Sequence, residues 1–208
     1  MSDRIEEHGL DSQPVPPLED RAFDEADEAD EAEAAAAPVE EERAEHAPGR
    51  FEVPPGYQVL AGMPNGERRS VAVVVAKFNG EITQRLLQRA LDELDAAQVS
   101  RDAVTIVPVP GAFELPLAAI ALAKTRRYAC IVALGCVIRG DTPHFDLVAG
   151  EAASGLQLAA IETGVPVSFG VLTTETFEQA EDRIDRAAEA VRGGLEMADV
   201  FSQLRAAR

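Results

Sequence analysis

The chain holds three histidines, and two of them, His8 and His46, lie in its first fifty residues. His144 stands apart from these, and an imidazole is the side chain best suited to proton transfer near neutral pH. It follows Gly140-Asp141-Thr142-Pro143. That tetrapeptide has the grammar of a helix start, with Thr142 as N-cap and Pro143 in the first turn. Unbonded N–H groups and the helix dipole at such a start attract an anion such as phosphate. The Asp141 carboxylate opposes this unless it turns away. The alternative is a capped helix and a structural histidine. Glu114 lies between Phe113 and Leu115. Burial without a partner would be costly there, so Glu114 either caps the helix that follows or accepts hydrogen bonds from ligand hydroxyls. Phe78 sits in the polar stretch Lys77-Phe78-Asn79-Gly80. It either plugs a core or stacks on a planar ligand. Cys136 reads as a small packing residue. The sequence has no histidines and cysteines at metal-ligand spacing, and neither a G-x-x-x-x-G-K-[ST] loop nor a G-x-G-x-x-G after a strand. The expectation is chemistry without a cofactor.

These groups are far apart in sequence, so a scaffold must gather them. Residues 71–76 form a continuous apolar run, as in a strand buried on both faces. Residues 81–97 read as a helix with Ile82, Leu86, Leu87, Ala90, Leu91 and Leu94 on one stripe. A second strand is expected over 104–109, a short apolar helix over 116–124 and a third strand over 128–134. A helix follows over 145–163, closed by Gly164, then a fourth strand over 167–172. One last helix is expected from 177 to about 205, loosened at Gly193-Gly194. Four strand–helix units in succession imply a parallel sheet with helices on both faces and right-handed crossovers. Ligands of such sheets bind beyond the carboxyl ends of the strands. The four loops there begin at Lys77, Pro110, Gly135 and Thr173. The last helix carries Ile184, Ala187, Ala188, Val191, Leu195 and Val200 on one face, for its own sheet or for association.

Composition separates the first fifty residues from the rest. Of the 37 acidic and 19 basic side chains in 208 residues, 17 and 4 fall in residues 1–50. This stretch is low in complexity and punctuated by prolines. It is expected to be a disordered acidic tail, either solubilising or an interaction arm. Residues 51–208 read as the folded domain. Without a basic patch, nucleic-acid binding is not expected. No apolar run approaches the roughly 18–20 residues of a membrane span, the N-terminus lacks the apolar core of a secretory leader, and two cysteines make no disulfide scaffold. A cytoplasmic protein without membrane partners is expected.

Read together, four segments resemble the 6,7-dimethyl-8-ribityllumazine synthase family. They are Phe78-Asn79, the run from Pro110 to Pro116, the run from Gly135 to Phe145, and the run from Phe169 to Glu175. The resemblance covers about residues 58–200. It implies an α/β, three-layer, flavodoxin-like fold with a four-stranded parallel sheet flanked by helices. It also implies a cofactor-free condensation of 5-amino-6-(D-ribitylamino)uracil with 3,4-dihydroxy-2-butanone 4-phosphate, the penultimate step of riboflavin biosynthesis. A non-catalytic flavin- or lumazine-binding homologue, or a shell-forming one, is the alternative use of the same pocket.

The site roles come with that resemblance. Phe78 would stack on the pyrimidine and Asn79 would help hold it. The backbone of Ala112, Phe113, Cys136, Val137 and Ile138 would read the ring edges, and Glu114 would bind ribityl hydroxyls. Asp141 and Thr142 would contact the phosphate, and His144 would transfer protons. Phe169 and Arg183 would come from a neighbouring subunit, Arg183 as phosphate clamp. The family assembles as homopentamers or shells of pentamers, and riboflavin synthase is a candidate partner. The chain departs from the family pattern after Arg183. The lysine-bearing segment Gly-Thr-Lys-Ala-Gly-Asn-Lys-Gly is replaced by a shorter one with Arg186 and Arg192, so the clamp is Arg183 or Arg186.

Overall fold

The computed structural model describes residues 51–207. The acidic tail expected at residues 1–50 lies outside the described residues. Strands and helices alternate: β1 (Val71–Ala76), α1 (Gly80–Ala96), β2 (Val104–Val109), α2 (Leu115–Lys124), β3 (Cys130–Ile138), α3 (His144–Thr163), β4 (Val167–Thr174), α4 (Phe177–Glu181) and α5 (Arg186–Ala206). Short 3-10 turns at Arg101–Ala103 and Ala112–Glu114 precede β2 and α2.

The four strands are all parallel, in the order β2-β1-β3-β4. This is the order of flavodoxin-like sheets, with a switch point between β1 and β3. The two central strands are covered on both faces, which is why they read as unbroken apolar runs. Side chains alternate between two cores. Val71, Val73, Val75, Val132 and Leu134 pack under α1 and α5. Ala72, Val74, Ala76, Ile131 and Ala133 pack under α2 and α3. Each fully buried Val, Leu or Ile contributes roughly 1.5–3 kcal/mol of transfer free energy. Pro108 is tolerated because β2 is an edge strand and pairs on one side only. Ahead of β1 the chain is latched to α5: the Met63 N–H and the Arg69 guanidinium both donate to Asp199, at 3.1 and 2.5 Å.

Three expectations need correction. The third and fourth strands run on to Ile138 and Thr174, because their ends continue to pair with each other. Cys136, Val137 and Ile138 are therefore strand residues rather than loop. The last helix is two helices. Between α4 and α5 the backbone tightens to i→i−3 bonds, from Arg183 N–H to the Ala180 carbonyl and from Arg186 N–H to the Arg183 carbonyl, and this turns the chain. Gly193-Gly194 does not loosen α5, which is continuous through it. Gly194 instead lets the helix lie close on the sheet, where a Cβ would stand 3.1 Å from Ser168 Oγ and 3.4 Å from Cys130 Sγ.

Candidate functional site

The loops at the carboxyl ends of the strands are joined by backbone bonds that prolong the sheet. Lys77 N–H donates to the Val109 carbonyl at 2.8 Å and Phe78 N–H to the Pro110 carbonyl at 3.1 Å. Asn79 adopts the left-handed conformation, φ 55° and ψ 48°, which asparagine tolerates better than most residues. Its carbonyl accepts the N–H groups of Ile82 and Thr83 and so starts α1. Its side-chain amide donates to the Cys136 carbonyl at 3.0 Å. The loop after β1 is thereby fastened to both neighbouring strands. Phe78 does not plug the core: it is 70% exposed, standing above the sheet edge.

After β2 the chain turns through Ala112–Glu114. Gly111 N–H donates to Glu114 Oε2 at 2.8 Å, so the carboxylate has a local partner and its other oxygen has no protein bond among the described residues. Ala112 is buried and Phe113 is 60% exposed. This turn packs against α3, the helix that His144 begins. The loops carrying Phe78, Glu114 and His144 thus share one edge of the molecule, with Cys136, Val137 and Ile138 between them on β3.

The start of α3 differs from the expected cap. Pro143, not Thr142, is the N-cap, and its carbonyl accepts the N–H groups of Asp146 and Leu147 at 3.1 and 3.4 Å. Thr142 makes no capping bond because the proline in the next position already has near-helical torsions, φ −63° and ψ 1°. Asp141, Thr142 and His144 are all exposed at this helix end. With Pro143 as cap, the N–H groups of His144 and Phe145 are left without a partner within the helix, which suits an anion.

Sequence reasoning passed over Arg139. Its guanidinium grips Asp146 with two bonds, at 3.0 and 3.1 Å, and Glu175 at 3.0 Å. It also lies 4.1 Å from the centre of the Phe145 ring. Its N–H donates to the Thr174 carbonyl at 2.9 Å. These bonds hold the Asp146 carboxyl below its ordinary value and raise the guanidinium's. Arg139 therefore ties the end of β3 to the first turn of α3 and to the loop after β4. The only signal in the sequence was a basic residue followed by acids at 146 and 175, a spacing that no local rule covers. Cys136 is buried, and burial pushes its thiol up to about 11, so it is no nucleophile at neutral pH.

Phe169 and Arg183 are placed differently, one down β4 and the other beyond the loop that follows it. Phe169 pairs with Ala133 near the start of β4 and is half exposed. It lies five residue steps from the tip at Thr174, about 17 Å of strand. Arg183 lies in the α4–α5 turn, next to Ala180 and Ala187 of the α1–α5 core and across the sheet from α3. It donates to the Gln179 carbonyl at 2.8 Å, and no ion pair among the described residues involves it. Arg186 is bound to Glu189 at 2.6 Å.

Comparison with known proteins matches the sequence of this chain to a family. Residues 68–202 fit the family profile described as 6,7-dimethyl-8-ribityllumazine synthase. A protein of that name from Yersinia pestis (strain Pestoides F) is 48% identical over 153 residues, covering 71% of this chain and 98% of the relative. One from Yersinia pseudotuberculosis serotype O:1b (strain IP 31758) matches to the same extent.

Proposed function

The chain belongs to the 6,7-dimethyl-8-ribityllumazine synthase family, and on that premise we propose how its residues carry out the condensation. The reaction joins 5-amino-6-(D-ribitylamino)uracil to 3,4-dihydroxy-2-butanone 4-phosphate, releasing phosphate and water. An amine attacks a ketone, water leaves, phosphate is eliminated, and the ring closes on the remaining carbonyl with loss of a second water. Every step moves a proton, and His144 at the shared edge is the group to move it. Much of the remaining acceleration comes from holding two substrates in register.

The observation that carries this reading is the convergence of the loops after β1, β2 and β3. Exposed Phe78 offers a ring face to the pyrimidine, with Asn79 behind it. The turn at Ala112 and Phe113 and the end of β3 at Cys136, Val137 and Ile138 present backbone groups to the ring edges. Glu114 keeps one carboxylate oxygen for ribityl hydroxyls, and the start of α3, with Asp141 and Thr142, receives the phosphate.

Phe169 and Arg183 complete the site from a neighbouring subunit. For Phe169 its place down β4, away from the strand tips of its own chain, supports this; Arg183, in the turn beyond the loop after β4, lies on the face of α1 and α5 rather than that of α3. Arg183 is favoured over Arg186 as the phosphate clamp because Arg186 already has a carboxylate partner. An apolar cleft of about 440 Å³ beside β4, lined by Ile161, Val167, Met197 and Phe201 among others, supports a homo-oligomer, for which the family's pentamer is the reading. Among the described residues no helix is long and apolar enough to cross a membrane, and a cytoplasmic setting fits. The test is to mix the purified full chain with both substrates and follow lumazine fluorescence. Turnover proportional to protein is expected. Binding of the uracil without turnover would instead identify a non-catalytic lumazine- or flavin-binding homologue.

A further inference from the structure

At the pole opposite the strand tips, a cavity of about 590 Å³ opens where the chain enters β1, β3 and β4. Five arginines line it: Arg68 and Arg69 before β1, Arg126 and Arg127 before β3, and Arg205 at the end of α5. Glu67 is the one acidic residue in its wall. Arg69 is held by Asp199 at 2.5 Å. No ion pair among the described residues involves Arg68, Arg126, Arg127 or Arg205, all of which are exposed. This is an excess of positive charge in a chain whose net charge is −18. The ends of α2, α3 and α5 gather at this pole, and helix C-termini favour cations. That accounts for basic residues nearby but not for their convergence on one hollow.

The backbone adds a second observation. Arg68 and Arg126 both have φ 58°, two of only four non-glycine residues with positive φ among the described ones. Glycine or asparagine would adopt this conformation more easily, yet both turns hold an arginine that faces the cavity. The turns are firmly anchored. Arg69 N–H donates to the Gly66 carbonyl at 3.1 Å, Arg126 N–H to the Ala123 carbonyl at 3.0 Å, and Ala129 N–H to the Ser70 carbonyl at 2.8 Å. Guanidinium forks on rigid turns are suited to phosphate oxygens, which they bind in pairs. The hollow is larger than one phosphate needs, and Tyr128 supplies a ring in its wall.

We propose that this arginine-lined cavity is a second ligand site, separate from the strand-tip edge, and that it binds a multiply charged phosphate chain, free or as part of a nucleotide. The test is calorimetric titration of the full chain with inorganic tripolyphosphate and, separately, with adenosine triphosphate, at low ionic strength and without divalent metal. Saturable binding that weakens as salt is added is expected. R126Q/R127Q should lower the affinity at least tenfold, and R205Q should lower it by a smaller factor. R183A should leave it within twofold. Circular dichroism confirms that each variant is folded. All four substituted side chains are exposed, so folding should survive. Similar affinity for the two probes places recognition on the phosphates alone. Tighter binding of the nucleotide adds the Tyr128 wall. Absence of saturable binding would overturn the proposal. So would loss of binding in R183A with full retention in R126Q/R127Q, since the anion would then occupy the edge where phosphate substrate is expected.

Discussion

Asn79→Ala tests how the site loops are held. Asn79 does three things at once. It occupies the left-handed region, starts α1 with its carbonyl, and donates its amide to the Cys136 carbonyl at 3.0 Å. Alanine keeps the carbonyl but loses the hydrogen bond, worth about 0.5–1.5 kcal/mol. It also takes on the left-handed penalty of roughly 1–2 kcal/mol for an ordinary residue. The expected loss of stability is therefore about 2–3 kcal/mol, read as a shift in the urea midpoint at unchanged slope. Asn79→Gly removes only the hydrogen bond and should cost about 1 kcal/mol. The functional effect should be larger than the difference in folded fraction, because the Phe78 loop would no longer be pinned to β3. A displacement on the order of 1 Å costs up to about 100-fold in rate, so turnover should fall by about 10- to 100-fold in both variants while each remains folded. If Asn79→Ala matches the parent in both midpoint and turnover, the loop is positioned by something other than this bond. If Asn79→Gly is the less stable of the two, the left-handed penalty has been misassigned.

Other expectations can be checked with the same fluorescence assay. His144→Ala should lower kcat by about 10²–10⁴-fold with KM little changed; an unchanged kcat removes the imidazole from the mechanism. Arg183→Ala should raise KM for the phosphate substrate more than that for the uracil, and Arg186→Ala should not; the reverse result would move the clamp to Arg186. Removing residues 1–50 should leave turnover intact, and lost activity would contradict the expectation of a tail outside the catalytic fold. Burial pushes Cys130 up to about 12 and Cys136 to about 11, from 9.0 for an exposed thiol. The unfolded chain ionises first, so the stability these thiols contribute is intact below about pH 9 and declines between there and pH 11–12. In acid the sign reverses. Asp199, held low by Gln203, the Met63 N–H and Arg69, contributes stability above its ordinary value of 3.8 that is lost as pH falls below it. A denaturation series across pH should show both flanks.

The layer architecture was readable because β1 and β3 are buried on both faces and so appear as unbroken Val, Ile, Ala and Leu runs. The ends of β3 and β4 were not readable. Gly135-Cys136 and Thr173-Thr174 look like loop, yet they pair strand to strand as Gly135 with Val171 and Ile138 with Thr174. That pairing is a property of two segments, not of either one. The break between α4 and α5 was hidden for the same reason. Residues 182–185 contain neither glycine nor proline, and the turn is held by tertiary ties from α1, with Arg85 bound to Glu181 and Arg89 to Asp185 at 2.7 Å. At the edge itself, residues whose chemistry announces itself, Phe78, Glu114 and His144, could be named from the sequence. Arg139 could not, since its two carboxylate partners lie on different elements. Residue preference points to Thr142 as the cap, but the proline beside it sets the geometry.

The account rests on a site assembled from two chains, and subunit mixing tests that most directly. His144→Ala and Arg183→Ala chains, each impaired alone when the phosphate substrate is held well below its KM, are unfolded together in equal amounts and refolded. Where one protomer supplies the imidazole and the next the guanidinium, hybrid rings contain about a quarter of their sites with both groups intact, and a corresponding share of the parent turnover returns. If activity stays at the level of the separate variants although the chains have co-assembled, both groups act within one protomer and the shared site is wrong.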